Sequence, residues 1–464
     1  MVFGPSAQET VTQTERRLKI QKFKYSNNPL QVFQALSAVS DYCYLLESSE
    51  GPRKLAQYSF IGFSPTKVLA AKNHTYYEYS ENGKTISLET RDPLSYLRRN
   101  LEQTSSYTGF RFVGGLVGYF SYDASRYLES LPELVEDDLK LPDFQFGKFD
   151  DGIVFDHLTG LAYYYWYDDS RIREIKRILS VNSIIPKLSA TSCKVNLSRS
   201  EFASKVKKAK AYIKAGDIFQ VVLSKRFEFD IDGSLIHFYK KLRDINPSPY
   251  MYFLKMGKTS LVGSSPEMLG RVEGRQVETY PIAGTRPIGR NSKETDQLAA
   301  SLIKDTKERA EHVMLVDLAR NDVGKVCQYG SVEVPDFMTV QRYSHVQHIV
   351  SRVVGKLESD KDAIDALKAI FPAGTVSGAP KKRAMEIIEE LESCRRGPYA
   401  GALGYFSYNG NADFAITIRT LLARERNAYL QVGAGIVADS DAGREWEETE
   451  HKAGALLRAL EIEG

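Results

Sequence analysis

The sequence predicts an α+β fold, with two associated β-sheets in a sandwich-like core and helices packed outside. Three observations carry this. Runs of strand-like residues are followed by runs of helix-like ones without a regular strand–helix alternation, which disfavours a Rossmann layout. The first 170 or so residues are mainly strand-like. One segment also repeats, GGLVGYFSYD at 114 returning as AGALGYFSYN at 400. Small-residue runs of this kind let a strand approach its neighbours closely, and they read as similar strand–turn elements, one in each sheet.

In chain order, LKIQKFKY (18–25) alternates like a strand, and Pro29 after Asn28 opens a helix that ends near Ser40. CYLLESSEG, YSFIGFSPTKVLAA and HTYYEYS read as strands, the last leading into an Asn82-Gly83 turn. Residues 93–102 read as a helix, 114–123 and 152–169 as strands, and 171–179 as a helix. The Ser-, Thr- and Asn-rich stretch 181–200 marks a linker between an N-terminal mainly β region, 1–180, and a second region, 201–464. There EFASKVKKAKAYIKAG is helical, with Ser200 as N-cap and Gly216 as stop. The strand IFQVVLSKRFEFD follows, then strands (250–280), helices (293–320), strands (331–357), helices (360–394), strands (399–437) and a closing helix (440–462).

A chain of 464 residues can bury a large core in two or three domains. Its 62 basic and 59 acidic residues leave a net charge of +3, so no overall field recruits nucleic acid or membrane, and an anionic ligand must be gripped locally. The four cysteines lie far apart and read as reduced thiols, not a zinc cluster or disulfide framework. The polar start has no apolar run for a signal peptide, and no later stretch approaches the ~20 apolar residues of a spanning helix. A cytoplasmic protein is expected.

The chemistry starts from KDTKERAEHVMLVDLARNDV (304–323), which reads as one helix with Glu308 and Glu311 one turn apart on the same edge. A second pair at the same spacing, Glu445 and Glu448, lies in GREWEETEHKA. If the fold unites them, acidic oxygen donors without Cys or clustered His favour magnesium over zinc. A chain with 59 acidic residues contains such pairs by chance, so their neighbours must decide. GSSPEML (263–269) and YPIAGTRPIG (280–289) put Glu267, Gly284, Thr285 and Arg286 at strand ends, either facing a ligand or simply making turns. AGTVSGAPKKRAMEII (373–388) runs into a helix whose positive end, with Thr375 and Lys381, suits a carboxylate. It lacks the spacing of a nucleotide phosphate loop. ADFAITIRTLL (412–422) is an apolar strand interrupted by Arg419, which needs an anionic partner or an edge position facing water. Gly433 and Gly435 in QVGAGIVADS permit close backbone approach, while Tyr399 and His348 are ambiguous alone.

Taken together, PIAGTRP, KDxKExAEHxMLVDLARND, AGTVSGAPK and GAGIVADS followed by an ExxET element resemble the chorismate-utilising enzymes over essentially the whole chain. Within that family the likeness is to the large, synthase subunits of anthranilate synthase. The loop residues Asp441, Ala442 and Gly443 depart from the usual pattern. The resemblance implies the chorismate-utilising enzyme fold. It also implies a Mg²⁺ ion held by Glu311 and Glu448, with Glu308 and Glu445 reaching it through water. The ion would bind the ring carboxylate of chorismate. Arg419, Tyr399 and the Gly435 amide would hold the enolpyruvyl carboxylate, with Gly284, Gly433 and Ala434 in the same binding surface. Glu267 would be the general acid for the departing C4 hydroxyl, His348 and Thr285 would line the ring site, and Thr375 and Lys452 would complete it.

The reaction turns on Gln220. Relatives that add water to chorismate carry lysine at the matching place, since water needs a base. Ammonia does not, so the amide of Gln220 fits amination at C2, followed by pyruvate loss to anthranilate. The rival is amination at C4, to aminodeoxychorismate. Some enzymes of that group carry a lysine where this chain has Ala283, and that lysine can form a covalent intermediate. LLESS (45–49) with NPSPYMYF (246–253) also resembles a tryptophan pocket, in which Ser48, Pro249, Tyr250 and Met251 would enclose the inhibitor. No cysteine has the neighbours of a glutaminase. Ammonia is therefore expected from a separate glutamine amidotransferase subunit, in a heterotetramer of two synthase and two amidotransferase subunits. A non-catalytic sensor of tryptophan and metal is the alternative from another class.

Overall fold

The computed structural model describes residues 16–23, 28–48, 57–80, 83–101, 107, 109–181, 185–343 and 346–461. Two antiparallel sheets dominate it, as expected. In the first, the strands run in the order Lys19–Lys22, Leu161–Trp166, Asp151–Asp156, Tyr58–Phe63, Tyr42–Glu47, Tyr250–Met256, Thr259–Ser265, Thr420–Arg424, Asn427–Ile436, Gln220–Asp232 and Ser189–Val195. In the second, the order is Ile282–Pro287, Val346–Lys356, Gln276–Thr279, Met268–Glu273, Ala412–Ile416, Ala402–Ser407, Gly115–Phe120, Phe144–Phe149, Lys67–Lys72, Thr75–Ser80 and Thr85–Glu89. Glu333–Arg342 adds to Val346–Lys356, and the two-residue Gly378–Ala379 to Gln220–Asp232.

The sheets face each other across a core that includes Tyr44, Phe60 and Leu261 of the first sheet and Val117, Leu403 and Tyr405 of the second. Helices cover the outer faces. Pro29–Ser37 and Leu235–Ile245 lie against the first sheet, and Ala363–Ile370 against the second. Covered on both sides, Gly115–Phe120 is buried at every position, with Leu116 and Phe120 in the outer core and Val117 and Tyr119 in the intersheet core. This explains why it reads as a continuous apolar run where a half-exposed strand would alternate.

The repeated segments are neighbours in one sheet, not counterparts in two. Gly118 pairs with Gly404, and a Cβ on either would collide with a backbone oxygen of the next strand, at Gln145 or Asp413. The likeness thus reflects a shared central position buried on both faces. Segment 304–323 is not one helix either. Asp305, with extended backbone, ends Ser292–Lys304 and caps Thr306–Gly324, its carboxylate accepting from the amides of Lys307 and Glu308. Ser198, not Ser200, caps Arg199–Ala215, in a reciprocal arrangement with Glu201. The stretch read as a linker carries Ser189–Val195, which pairs with Gln220–Asp232. Asn82 and the ends of the expected strands at 24–25 and 49–51 lie outside the described residues.

Candidate functional site

Residues 412–422 read as a single apolar strand interrupted by Arg419, yet the two halves belong to different sheets. Ala412–Ile416 lies in the second and Thr420–Arg424 in the first. Arg419 sits at the crossover with φ 50°, a left-handed conformation, and of the two alternatives read from the sequence the edge position facing water does not hold, since the side chain is largely enclosed. Its guanidinium makes no ion pair with a described residue. Burial lowers its proton affinity, opposed by the charges of Glu448 and the Tyr399 phenol. Tyr399, enclosed beside Arg396 and Arg419, has its phenol pushed up to about 12 by burial. The enclosed His348 is in turn held below its usual range, first by burial and further by Arg419. Its Nδ1 lies 2.8 Å from the Gly284 carbonyl and 3.1 Å from the Thr285 hydroxyl. The bond to the carbonyl makes Nδ1 the protonated nitrogen. Arg419, Tyr399, His348 and Glu448 come from four separate segments and meet here.

The acidic pairs face the same space. Glu311 has its proton affinity raised first by burial and then by the charges of Glu308 and, from the distant closing helix, Glu448. Glu445 is raised likewise by burial and by Glu448, with Ser440 and Lys307 opposing. Cations already balance part of this charge. Lys452 Nζ lies 2.6 Å from Glu448 Oε1 and donates to the Gly433 carbonyl at 2.9 Å, while Arg286 reaches Glu308 at 3.5 Å. Among the described residues no three acidic, His or Cys side chains are gathered tightly enough to form one coordination sphere. The all-carboxylate donor set and its only partly relieved mutual repulsion are of the kind a hard divalent cation answers.

Gln220 opens the long strand Gln220–Asp232, pairing with Ala379. Its Nε2 donates to Glu311 at 3.5 Å, and its buried Oε1 has no partner. Gly433 and Gly435, on the neighbouring strand with Ala434 between them, leave room for side chains of the site. A Cβ on Gly433 would lie 2.6 Å from the Tyr399 hydroxyl, and one on Gly435 would collide with the Gln220 amide. A Cβ on Gly284, at φ 65°, would lie 2.8 Å from Leu302 and 2.9 Å from the Glu308 carboxylate.

Glu267 lies at the entry of Met268–Glu273, enclosed by protein, and burial pushes its carboxyl up to about 7 against the charge of Lys452. The Thr375 hydroxyl favours the charged form of Glu267 by its proximity but makes no well-formed hydrogen bond, and is otherwise unpartnered. Lys381 is not free for a carboxylate ligand, since its ammonium binds Asp322 at 2.6 Å and the Ile370 carbonyl at 2.9 Å. The sequence reading passed over Tyr343, whose ring lies 5.7 Å from that of His348 and whose hydroxyl feels the charge of Glu267. Its place just before the His348 segment was the one available signal.

A separate cavity opens between the sheets. Ser48, just past the strand Tyr42–Glu47, and Tyr250, Met251 and Tyr252 of the first sheet line it against Leu403, Gly404, Tyr405 and Asp413 of the second, together with Glu47 and Arg111. Pro249 is not in its wall. The Tyr250 hydroxyl donates to Asp413 at 2.9 Å.

Residues 42–458 match the family model of the chorismate binding enzymes. The chain is 48% identical over 436 residues to anthranilate synthase component 1 of Methanothermobacter marburgensis, covering 94% of this chain and 93% of that one. It is 45% identical over 459 residues to the Aquifex aeolicus protein of the same name, with coverage of 94% and 93%. Among solved structures it resembles anthranilate synthase component I from Streptococcus pneumoniae, with TM-score 0.78, 37% identity and coverage of 88% and 93%. The menaquinone-specific isochorismate synthase of Escherichia coli shares the fold, with TM-score 0.74, 19% identity and coverage of 96% and 94%.

Proposed function

Because this chain belongs to the chorismate binding enzyme family and is a chorismate-utilising enzyme, we propose that it aminates chorismate at C2 and eliminates pyruvate to give anthranilate. The observation that carries the reading is Gln220. An amide facing Glu311 offers no base to activate water but can orient ammonia, which is nucleophilic without losing a proton. The names of the relatives support the same reaction.

In this reading, Arg419, unpaired and enclosed, receives the enolpyruvyl carboxylate together with Tyr399 and the Gly435 amide. A dianionic substrate would satisfy the Arg419 guanidinium, which has no ion pair among the described residues. Glu267, whose buried carboxyl is raised to about 7 and so keeps its proton below that pH, gives it to the leaving C4 hydroxyl. Thr285 and His348, fixed by the Gly284 carbonyl, line the ring. Thr375 and Lys452 close the far side. Glu311 and Glu448 would hold Mg²⁺, with Glu308 and Glu445 behind water, after their side chains swing inward. The ion, when bound, supplies charge neutralisation for the ring carboxylate.

Ammonia comes from a glutamine amidotransferase subunit, consistent with relatives named as component 1, in a heterotetramer of two subunits of each kind. Tryptophan inhibits from the intersheet cavity, whose aromatic wall, acidic Glu47 and Asp413 and basic Arg111 suit an indole zwitterion. Residues 1–180 and 201–464 each supply part of that wall, and the later region supplies the chorismate site. The protein works in the cytoplasm, and no described helix is long and apolar enough to cross a membrane. The test is direct: purified chain, chorismate, Mg²⁺ and ammonium at alkaline pH, followed by anthranilate fluorescence. Formation of 4-amino-4-deoxychorismate alone would move the assignment to C4 amination. Tryptophan binding with no product at all would leave a sensor.

A further inference from the structure

One buried ion pair beside Tyr399 has no part in the reaction as proposed. Glu392 ends the helix Lys381–Leu391, and Arg396 follows it by four residues in the connection to Ala402–Ser407. The two side chains are 1% and 6% exposed, for Arg396 and Glu392 in turn. Arg396 Nε donates to Glu392 Oε2 at 2.9 Å and Nη2 to Oε1 at 2.6 Å, while Nη1 reaches the Val376 carbonyl at 2.8 Å and Nη2 the Val222 carbonyl at 2.7 Å. Glu392 Oε1 also accepts from the amide and hydroxyl of Ser224, at 2.9 and 2.7 Å. The pair is thereby pinned to the strand that begins at Gln220 and to the turn that carries Thr375.

All three nitrogens of Arg396 are engaged, so it is not a second carboxylate ligand beside Arg419. What it offers is a fixed cation beside two aromatic rings, its guanidinium carbon 4.7 Å from the centre of Tyr122 and 5.6 Å from that of Tyr399. The segment that bears Tyr399 is a turn in which Gly397 and Ala400 are left-handed, at φ 57° and 62°. Its backbone is tied down on both sides of Tyr399. The Tyr122 amide donates to the Gly397 carbonyl at 2.7 Å, the Gly397 amide to Asp123 at 2.9 Å, and the Ala400 amide to the Thr417 carbonyl at 2.9 Å. Those bonds fix the chain and leave the ring. Packing does not fix it either, because Tyr399 borders a cavity of about 20 Å³ shared with Arg396, Gln431 and Thr417, whose buried hydroxyl has no partner among the described residues. A gap of that kind forfeits contacts on one side of the ring.

We infer that Arg396 is a positioning residue: locked by Glu392, its guanidinium sets the Tyr399 ring so that the phenol meets the enolpyruvyl carboxylate at Arg419. The inference rests on the reading of Tyr399 as a ligand of that carboxylate. Glu392 has a second effect, since its charge opposes the pull of Arg396 on the phenol, and the hydroxyl keeps the proton it donates. Through Tyr122, residues 1–180 also contribute to holding the substrate site.

Arg396→Lys tests this. It keeps the buried charge opposite Glu392 but loses the planar fork that reaches two carbonyls and a carboxylate at once. Glu392→Gln, which still accepts from Ser224, guards against the first variant failing to fold. In ammonium-driven synthesis by the full chain, Arg396→Lys is expected to raise KM for chorismate at least ten-fold and Glu392→Gln at least three-fold, with kcat within three-fold of wild type, the pattern of lost substrate binding. Tyr399→Phe should raise KM comparably. The deciding variant is the double one: Arg396→Lys combined with Tyr399→Phe, or Glu392→Gln with Tyr399→Phe, should match Tyr399→Phe alone within two-fold, because a residue acting through the phenol has nothing to act on once it is gone. KM effects that multiply in the double variant, an unchanged KM in the folded single variants, or failure of both to fold would make the pair structural only and overturn the inference. Tyr399→Phe with wild-type KM would instead remove the carboxylate reading of Tyr399, and the inference with it.

Discussion

The hydroxyls of Tyr252 and Thr420 lie 2.5 Å apart, tying the wall of the intersheet cavity to the residue that follows Arg419. Thr420 also donates to the Ile418 carbonyl at 2.8 Å, and the Arg419 carbonyl accepts from the Ser264 amide at 3.1 Å. A ligand that displaces Tyr252 therefore pulls on the strained crossover that aims Arg419.

Tyr252→Phe is expected to keep tryptophan binding but to weaken its effect on turnover. The variant removes one hydrogen bond of about 1 kcal/mol, and Thr420 keeps its bond to Ile418, so no buried hydroxyl is orphaned. Inhibition should weaken about five-fold, as measured by tryptophan titration of the chorismate reaction beside calorimetric binding. Equal inhibition of variant and wild type would show that the signal travels elsewhere.

Glu267 gives the reaction a pH signature. Burial raises its carboxyl from the ordinary 4.5 to about 7. In the proposed role of proton donor it is competent below that value, so glutamine-driven kcat should decline as pH rises through about 7, and Glu267→Gln should abolish it. The stability effect has a definite sign. A carboxyl that binds its proton more tightly when folded contributes stability that is complete below pH 4.5 and lost as the pH rises through about 7. Glu267→Gln, which never ionises, should therefore be more stable than wild type at pH 8, by on the order of 1–3 kcal/mol in urea titrations. A variant less stable at every pH would contradict this.

Much of the architecture was legible because period and caps are local. Pro29 with Asn28 gave the first helix, and Gly216 the end of Arg199–Ala215. What was missed depended on distant partners. Two serines within three residues compete to cap one helix, and only Ser198 has Glu201 three positions on. The crossover at Arg419 is silent in sequence because both flanking strands are buried and apolar, so no change of period marks the change of sheet. The twin GYFS segments gave the right element type in the wrong relationship, since adjacency within a sheet and correspondence between sheets leave the same small-residue signature. Glu311 and Glu448 could be paired only by resemblance. Their spacing along separate helices says nothing of the tertiary approach by which each feels the other's charge.

Gly404→Ala tests the close pairing at the centre of the second sheet. The added methyl meets the Asp413 carbonyl, a backbone atom that cannot swing aside, while Gly118 faces it from the next strand. Overpacking against backbone should destabilise by roughly 3 kcal/mol or more, seen as a lowered urea midpoint. Gly274→Ala, at a turn glycine with φ 61° and open space around it, should cost less, roughly 1 kcal/mol from the left-handed backbone alone. If the two cost the same, steric contact is not the reason for the glycine at 404.

Glu448→Ala separates site from scaffold. The side chain is half exposed and its bond to Lys452 is an i,i+4 surface pair, so its loss should cost at most about 1 kcal/mol, with the melting temperature nearly unchanged. The charge it supplies is felt at both Glu311 and Arg419. Removing it should relax Glu311 toward ordinary acidity and leave one fewer oxygen donor for a divalent cation. Anthranilate formation should fall roughly a hundred-fold or more, with a parallel rise in the Mg²⁺ concentration needed for half activity. Glu447→Ala, one residue earlier and paired on the surface with Arg199 at 3.2 Å, should leave both measurements unchanged. A Glu448→Ala enzyme with wild-type turnover and magnesium dependence would mean that the two acidic helices meet for structural reasons alone.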